Sequence, residues 1–219
     1  ASGDLDVGSS NAAGNRFRLN LARQRGQLSM VARAVPSGAL DFASLRLPDA
    51  IEELASLRRG LVLVTGATGS GKSTTLAAMV HHINKTRQAH IVTIEDPIEF
   101  VHQDELSRVT QREVGPDTAS FHRALKSVVR QSPDVILLGE LRDLETMQVA
   151  LAAALTGHLV LTTLHTIDTA QTLQRLLSYF PEYLREQAAM DLSLSIQGVV
   201  SQRLVPHIEA NHHRVVAVE

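Results

Sequence analysis

A glycine-rich stretch at residues 66–73, GATGSGKS, constrains the fold of this chain more than any other part of its sequence. It fits the pattern G-x-x-x-x-G-K-[ST] at every fixed position. The apolar run at residues 61–65 predicts a buried strand before it, and Leu76, Met79, Val80 and Ile83 repeat at helical spacing after it. Backbone N–H groups of such a loop, with the positive end of the following helix, bind phosphate oxygens. A chance turn of glycine and serine would lack this context, so the stretch predicts a nucleoside triphosphate site.

The motif also assigns roles to its residues. Lys72 is expected to reach the β- and γ-phosphates, and the Ser73 hydroxyl is expected to hold Mg²⁺. The predicted nucleotide-binding set is continuous and consists of Gly66, Ala67, Thr68, Gly69, Ser70, Gly71, Lys72, Ser73 and Thr74.

Composition narrows the class of protein that carries this loop. The 219 residues, 44% of them apolar, suffice for one large domain and a smaller piece. A net charge of −2 with interspersed signs, and only 3% aromatic residues, argue against a nucleic-acid partner. The sequence has no cysteine, which excludes disulfides and cysteine-based metal or redox sites. The absence of cysteine fits a cytoplasmic protein. No apolar run approaches the roughly 20 residues of a membrane span.

The N-terminal part of the chain predicts a small sheet. Residues 1–14 are small and polar and are expected to form a loop or a frayed chain end. Alternating apolar residues at 17–21 and 28–32, separated by Arg25 and Gly26, predict a β-hairpin. A lone hairpin is too small to be stable, so it is expected to belong to a larger sheet. Residues 36–38 predict a linker.

From residue 48 onward, helix and strand patterns alternate. Residues 48–58 predict a short helix with a proline near its start and a glycine after its end. Apolar runs rich in β-branched residues predict parallel strands buried on both faces at residues 61–64, 91–94, 135–138 and 159–164. Helical stripes are found at residues 121–129, with Asp117 or Thr118 as the expected cap, and at residues 144–155. Two further helical segments are expected from residue 181 to about residue 203, followed by a hairpin over residues 205–219 that turns at residues 209–213.

Acidic side chains follow the second predicted strand, at the edge where a doubly wound sheet binds its ligand. Glu95, Asp96 and Glu99 repel one another unless a cation lies nearby. A Mg²⁺–phosphate group or an arginine would supply that cation, whereas a solvated acidic turn would need neither. The position after a strand that follows a phosphate-binding loop favours the functional interpretation. Which of the three carboxylates acts as a base stays open.

The third and fourth predicted strands also end in polar residues. Glu140 follows the run at residues 135–138 and is expected to orient Mg²⁺ and water. His158 and His165 lie at opposite ends of the fourth strand. A histidine is more often structural than catalytic, but the position of His165 on the ligand side favours a role in the site.

Six blocks of sequence together resemble one family. They are the loop at 66–73 and the runs IVTIEDPIEF at 91–100, QREV at 111–114, DVILLGELRD at 134–143, TGHLVLTTLH at 156–165 and SQRL at 201–204. In this order they resemble the secretion-type hexameric ATPases and, within them, the type IV pilus retraction ATPases, the PilT/PilU family. The resemblance runs almost continuously from about residue 15 to the end of the sequence.

The resemblance implies a fold class and a division of the chain. The fold is expected to be α/β, a RecA-like P-loop NTPase core with a mainly parallel sheet, preceded by a partial β-rich N-terminal domain. Residues 1–35 are expected to be the remnant of that sheet domain, residues 36–47 a linker and residues 48–219 the ATPase domain with incomplete C-terminal helices. Family members carry more sequence at both ends, so the chain is expected to be a fragment.

The resemblance also implies roles for single residues. The implied catalytic set is Lys72, Glu99, Glu140 and His165. Glu99 is similar to the glutamate that activates the attacking water, and Glu140 is similar to the one that acts on Mg²⁺. The implied metal ligands are Ser73 and Glu140, and the implied cofactors are ATP and Mg²⁺.

Partners and location are implied in the same way. The implied assembly is a ring-shaped homo-hexamer in the cytoplasm, peripheral to the inner membrane. Its partners would be a pilus inner-membrane platform protein and, as a further candidate, a paralogous retraction ATPase. Arg16, Arg18 and Arg33 of the predicted hairpin are candidates to reach the nucleotide or a neighbouring subunit. The implied function is ATP hydrolysis that powers pilus retraction in twitching motility.

Other functions remain open at this point. Pilus extension and type II secretion ATPases resemble the chain, but they usually carry a four-cysteine zinc module near residues 202–204, and this sequence has no cysteine. The run IEDPIE fits pilus motors better than type IV secretion ATPases. A P-loop small-molecule kinase would need an acceptor pocket and a lid, for which the sequence has no signature. A nucleotide-binding partner without hydrolytic activity would lack a base, and Glu99 and Glu140 argue against it.

Overall fold

The N-terminal part of the chain forms a three-stranded antiparallel sheet. The computed structural model describes residues 4–12, 16–35, 41–206 and 214–219. The three strands are β1 (Leu5–Ser10), β2 (Arg16–Gln24) and β3 (Gln27–Ala34), in that order across the sheet. The predicted hairpin is β2 and β3. Its two-residue turn has Arg25 and Gly26 at positive φ, 50° and 82°, which matches the twist of the flanking strands.

The expectation of a loop over residues 1–14 is wrong for β1. This strand pairs with β2 from Leu5↔Leu21 to Ser10↔Arg16. Leu5 and Val7 are too few apolar residues to indicate a strand by periodicity. The free edge of β2 orders it, because unpaired N–H and C=O groups along an edge take a partner strand. Residues 36–38, predicted to be a linker, lie outside the described residues.

A second sheet, of seven strands, forms the body of the protein among the described residues. Its strands are β4 (Gly60–Thr65), β5 (His90–Glu95), β6 (Arg108–Glu113), β7 (Val135–Leu138), β8 (Leu159–Leu164), β9 (Ile196–Pro206) and β10 (Arg214–Val218). The strand order is β10-β9-β4-β8-β7-β5-β6. All neighbours pair in parallel except β9 and β10. The expected α/β fold with a mainly parallel sheet and a β-rich N-terminal part is thereby confirmed.

Helices cover both faces of this sheet. They are α1 (Asp49–Ser56), α2 (Lys72–Thr86), α3 (Phe121–Val128), α4 (Leu144–Leu155), α5 (Thr169–Ser178) and α6 (Arg185–Ser195), with a 3₁₀ turn at Glu182–Leu184. In the parts of the chain that the structure describes, no helix has the length and apolarity needed to span a bilayer.

Two hydrophobic cores result, one on each face. Successive side chains of β4 point to opposite faces, so Leu61 and Leu63 pack with α3, α4 and α6, whereas Val62 and Val64 pack with α1 and α2. All four side chains are fully buried, and each such burial stabilises the fold by about 1.5–3 kcal/mol. The continuous apolar runs therefore correctly predicted β4, β5, β7 and β8 as buried strands.

Two strands of the sheet escaped prediction. The edge strand β6 reads Arg-Val-Thr-Gln-Arg-Glu, and such a polar run carries no apolar signal. The expectation of helix up to residue 203 is wrong, because α6 ends at Ser195 and β9 begins at Ile196. Gly198 disfavours helix there and lies so close to α1 that a Cβ would be 2.8 Å from the Leu54 side chain. Pairing with β4 and β10 then fixes the segment as a strand.

The ends of two other elements differ slightly from expectation. The N-cap of α3 is Ser120 rather than Asp117 or Thr118, and its Oγ accepts a hydrogen bond from the Arg123 N–H at 3.2 Å. The terminal hairpin is present as β9 and β10. Its predicted turn at residues 209–213 lies outside the described residues.

Candidate functional site

A cavity of about 490 Å³ lies at the carboxyl ends of β4, β5, β7 and β8. Parallel α/β sheets bind ligands at this edge. The glycine-rich loop, the acidic loop after β5 and the ends of β7 and β8 contribute to its wall. The charged and imidazole side chains that line it are Arg18, Arg33, Lys72, Glu95, Asp96, Glu99, His102, Glu140, Arg142 and His165. The structure thus places all the catalytic candidates around one cavity.

The glycine-rich loop has a conformation that depends on its glycines. Gly66, Gly69 and Gly71 have positive φ values of 143°, 78° and 94°, which residues with a Cβ rarely adopt. The loop ends at the N-terminus of α2, where Gly71 is the N-cap and Lys72 the first helical residue. The first N–H groups of a helix have no intrahelical partner and attract an anion.

Most of the predicted nucleotide-binding residues reach the cavity wall. Those that line it are Thr68, Gly69, Gly71, Lys72, Ser73 and Thr74. Gly66 and Ser70 are buried against Gln202 of β9 instead, and Ala67 is exposed but does not line the cavity. A loop that binds phosphates is expected to turn one side toward the ligand cavity and to pack its other side on the protein.

The Lys72 ammonium group is held against the loop backbone. Its Nζ donates hydrogen bonds to the carbonyl oxygens of Gly66, at 2.8 Å, and Ala67, at 3.0 Å. Burial lowers the pKa of Lys72, while the carboxylates of Glu99 and Glu140 act in the opposite direction. The site therefore contains a partly desolvated cation whose hydrogen bonds to the described residues go to neutral carbonyl groups, so a phosphate anion would be a stronger hydrogen-bond partner.

The structure distinguishes the carboxylates of the acidic loop. Glu95 accepts hydrogen bonds from Thr93 Oγ1 at 2.7 Å, Gln111 Nε2 at 3.3 Å and the Glu99 N–H at 3.3 Å. Burial raises the pKa of Glu95 despite these hydrogen bonds. The Glu95 carboxylate thus stabilises the conformation of the acidic loop through these hydrogen bonds. The Glu99 side chain is exposed to the cavity and is available to a ligand.

Glu140 lies between an arginine and a histidine. Its Oε1 forms an ion pair with Arg142, and its Oε2 lies 3.5 Å from His165 Nε2. Arg142 also lies 3.8 Å from an Asp96 carboxylate oxygen, so it links the ends of β5 and β7. The Glu140 side chain is only 14% exposed. Arg142 and His165 thus hold this mostly buried carboxylate at the edge of the cavity, a position from which it could orient a metal ion or a water molecule.

The two histidines at the ends of β8 have different surroundings. His165 lines the cavity and is 57% exposed. His158 lies at the other end of the strand, away from the cavity, with its Nδ1 2.9 Å from the Ala153 carbonyl oxygen near the end of α4. Only His165 is placed to act in the site.

Arg18 and Arg33 enter the cavity from the N-terminal sheet. They are directly opposite each other on β2 and β3. Like charges opposite each other on neighbouring strands are unfavourable unless an anion lies between them or close by. The side chain of Arg16, the third candidate, lies outside the described part of the chain. The pair of arginines marks this side of the cavity as a site for negative charge.

Comparison with known proteins agrees with this geometry. A family model described as "Type II/IV secretion system protein" matches residues 32–218. The chain belongs to this family. The type IV pilus ATPase PilU of Pseudomonas aeruginosa is 48% identical over 201 residues, which cover 92% of this chain and 53% of that protein. The type IV pilus retraction ATPase PilT of the same organism is 49% identical over 193 residues, which cover 88% and 56%.

A solved structure also resembles the chain. The pilus retraction motor PilT with bound ADP has a TM-score of 0.94 at 48% sequence identity, and the match covers 99% of this chain and 63% of that one. These likenesses confirm the resemblance to the PilT/PilU family. The chain spans just over half the length of the curated relatives named above.

Three side chains of this member of the secretion family were missed as site residues. Arg142 lies in the run at 134–143, and its position two residues after Glu140 is the signal that could have indicated it. Gln202 contacts the back of the glycine-rich loop and comes from a distant strand. His102 lines the cavity and is anchored by its backbone N–H, which donates to Gln111 Oε1 at 2.8 Å. Gln202 lies in the block SQRL at 201–204, but nothing in that block indicates a contact with the loop, and no local pattern marks His102.

His102 makes the stability of the protein depend on pH. Burial, and secondarily the charge of His81, lower the pKa of His102 to about 4 from its ordinary 6.5. Between these two values the unfolded chain binds a proton that the folded chain does not, so stability falls as the pH falls through this window. We expect a loss of up to about 3 kcal/mol from this group, since each pKa unit corresponds to roughly 1.4 kcal/mol.

The test is urea unfolding of the wild type and His102→Gln at pH 7.5 and pH 4.5. The variant should lose less stability between the two pH values than the wild type does. An equal loss in both proteins would contradict the assignment of acid sensitivity to this imidazole.

Proposed function

We propose that this protein hydrolyses ATP and thereby powers the retraction of a type IV pilus. The observation that carries the proposal is the single cavity in which a loop lysine, an exposed glutamate, a paired glutamate and two arginines meet. The names of the relatives at 48% and 49% identity support the same activity. Because the chain spans just over half of those proteins, the activity of the whole protein is part of the proposal.

In the proposed reaction a water molecule attacks the γ-phosphorus of ATP. Glu99 accepts the proton of that water, the new P–O bond forms, and the bond to the β-phosphate oxygen breaks. Lys72 stabilises the negative charge on the phosphate oxygens, and Arg18 and Arg33 add positive charge from the opposite side. His165 and Arg142 hold the Glu140 carboxylate in place.

The residues present fit a Mg²⁺ ion bound together with the nucleotide. The Ser73 hydroxyl and the Glu140 carboxylate are hard oxygen donors, which Mg²⁺ prefers. Within the described ranges no group of three or more His, Cys, Asp or Glu side chains is arranged to hold a metal alone. Mg²⁺ commonly uses one or two protein oxygens and completes its shell with substrate phosphates and water. When bound, the ion would neutralise charge on the phosphate oxygens.

Assembly and partners are part of the same proposal. The protein would act as a homo-hexamer on the cytoplasmic side of the inner membrane, against a pilus platform protein and beside a paralogous retraction ATPase. No nucleic acid would take part. Residues 1–35 would belong to the N-terminal sheet domain, residues 36–47 to a linker and residues 48–219 to the ATPase domain, and nucleotide-dependent movement between the two domains would transmit force.

The roles of the carboxylates can be tested by isosteric substitutions. Glu99→Gln and Glu140→Gln should bind ATP but lose turnover by about 10²-fold or more, because an amide neither accepts a proton nor orients Mg²⁺ with a charge. Glu95→Gln, in the same loop, should retain most of its turnover, since its carboxylate serves the loop structure. The measurements are phosphate release and ATP binding. A normal rate in Glu99→Gln together with no turnover in Glu95→Gln would show that Glu95, and not Glu99, is the general base.

A small-molecule kinase is the alternative from another class. It would share the loop but transfer the γ-phosphate to an acceptor. Phosphate release measured with and without candidate acceptors distinguishes the two functions. We expect release that needs no acceptor and forms no phosphorylated product.

A further inference from the structure

The back of the glycine-rich loop lies on strand β9. The contact is made by Gln202, whose residue is 1% exposed. Its Nε2 donates a hydrogen bond to the Ser70 carbonyl oxygen at 2.8 Å, and its Oε1 accepts one from Thr75 Oγ1 at 2.8 Å. One buried amide group therefore bridges the last turn of the loop and the first turn of α2.

The glycines of the loop leave room for this contact. A Cβ on Gly71 would lie 2.7 Å from Gln202 Nε2, and a Cβ on Gly66 would lie 2.3 Å from the Gln202 backbone oxygen. Side-chain and main-chain atoms of Gln202 thus occupy the space that any larger residue at either position would need. Two residues farther along β9, Leu204 lines the cavity itself.

We propose that Gln202 is a positioning residue that holds the glycine-rich loop in its phosphate-binding conformation. Its two hydrogen bonds flank Gly71 and Lys72 in sequence. They fix the exit of the loop relative to the start of α2 and so set the position of the ammonium group and of the first N–H groups of the helix. The proposal rests on the nucleotide binding proposed above.

The chemistry of the contact requires an amide. A glutamine side chain donates at one end and accepts at the other, which matches the Ser70 carbonyl and the Thr75 hydroxyl. Methionine has a similar length but neither group, so Gln202→Met would leave a buried carbonyl oxygen and a buried hydroxyl without this partner. Polar groups buried without partners destabilise the conformation that contains them. The loop would then sample other conformations, and phosphate binding would weaken.

The experiment compares the binding of a fluorescent ADP analogue, in the presence of MgCl₂, to wild type and variants. Gln202→Met should raise the Kd about tenfold, and Thr75→Val should raise it several-fold. The double variant should bind no more weakly than Gln202→Met alone, because both substitutions remove one shared contact. Gln197→Met is the matched control: this exposed glutamine of the same strand lies far along β9 from the loop, and the variant should bind as the wild type does.

Urea unfolding of each variant separates positioning from general stability. A merely structural role would lower the unfolding midpoint and leave the Kd of the folded protein unchanged. If Gln202→Met does not fold, the test is the comparison of the Kd of Thr75→Val with that of Thr75→Ser. Serine keeps the hydroxyl, so Thr75→Ser should bind the analogue as the wild type does.

Each outcome has a distinct meaning. A Kd within twofold of wild type in folded Gln202→Met, or additive losses in the double variant, would overturn the positioning role and leave the proposed function intact. Failure of the wild type to bind the analogue would overturn both.

Discussion

Replacing Lys72 with alanine will abolish ATP hydrolysis, with a loss of about 10³-fold or more, and will weaken nucleotide binding. The reason is the position of the ammonium group, which is held by the Gly66 and Ala67 carbonyl oxygens and is partly desolvated. A cation in such an environment interacts with phosphate charge much more strongly than one in water, and charge stabilisation of this kind supplies much of the catalysis in phosphoryl transfer. The measurements are steady-state phosphate release and nucleotide affinity.

The matched control is Lys85→Ala. Lys85 is an exposed lysine in the last turn of the same helix, so the substitution removes the same charge from α2 but leaves the loop intact. It should hydrolyse ATP at the wild-type rate. Full activity in a folded Lys72→Ala protein would contradict the assignment of residues 66–73 as the phosphate-binding loop.

The same substitution in cells separates the motor types. If the protein retracts pili, cells that carry Lys72→Ala in the full-length protein will keep surface pili but will not spread by twitching. If it extends pili, the surface pili will be missing. If it serves type II secretion, pili and twitching will be normal and exported proteins will accumulate inside the cell. Only the first result agrees with the proposed function.

The phosphate-binding half of the site could be predicted because its information is local. The loop, its strand and its helix are consecutive in sequence, and each glycine at a positive φ has a direct conformational reason. Glu140, His165 and the three carboxylates of the acidic loop were predicted by a similar argument, since each follows a buried strand and the carboxyl ends of parallel strands meet at one edge. The choice of Glu99 among the three carboxylates came from the family resemblance. Their placement around one cavity follows from the sheet.

The supporting half of the site is not local, and the sequence alone did not reveal it. Gln202 contacts a loop residue 132 positions earlier in the chain, and a single polar residue in a strand carries no signal of such a partner. The edge strand β6 has a polar sequence, yet its Gln111 side chain holds both Glu95 and the Phe100 carbonyl oxygen. Only the three-dimensional order of the strands brings Gln202 to the glycine-rich loop and Gln111 to the acidic loop.

The second large effect on ATP hydrolysis is expected from replacing Arg18 and Arg33. Replacing both with glutamine should lower the rate of ATP hydrolysis by about 10³-fold, because arginines that face the transferred phosphoryl group have effects of this size. Phosphate release is the measurement. Arg23→Gln is the control, since Arg23 lies exposed on the same strand as Arg18 and does not line the cavity. A wild-type rate of phosphate release in the double variant would show that these arginines take no part in hydrolysis.

A mixing experiment determines which subunit's site the arginines serve. In the structure Arg18 and Arg33 line the cavity that contains Lys72 of the same chain. Lys72→Ala subunits, which keep the arginines, are assembled with Arg18→Gln/Arg33→Gln subunits, which keep the loop. If each chain supplies its own arginines, every subunit in the mixed ring lacks one component, and the mixture should stay as inactive as its parts. Recovery of activity on mixing would mean that the arginines act on a neighbouring subunit, and the arrangement within one chain would then describe a state outside the catalytic cycle.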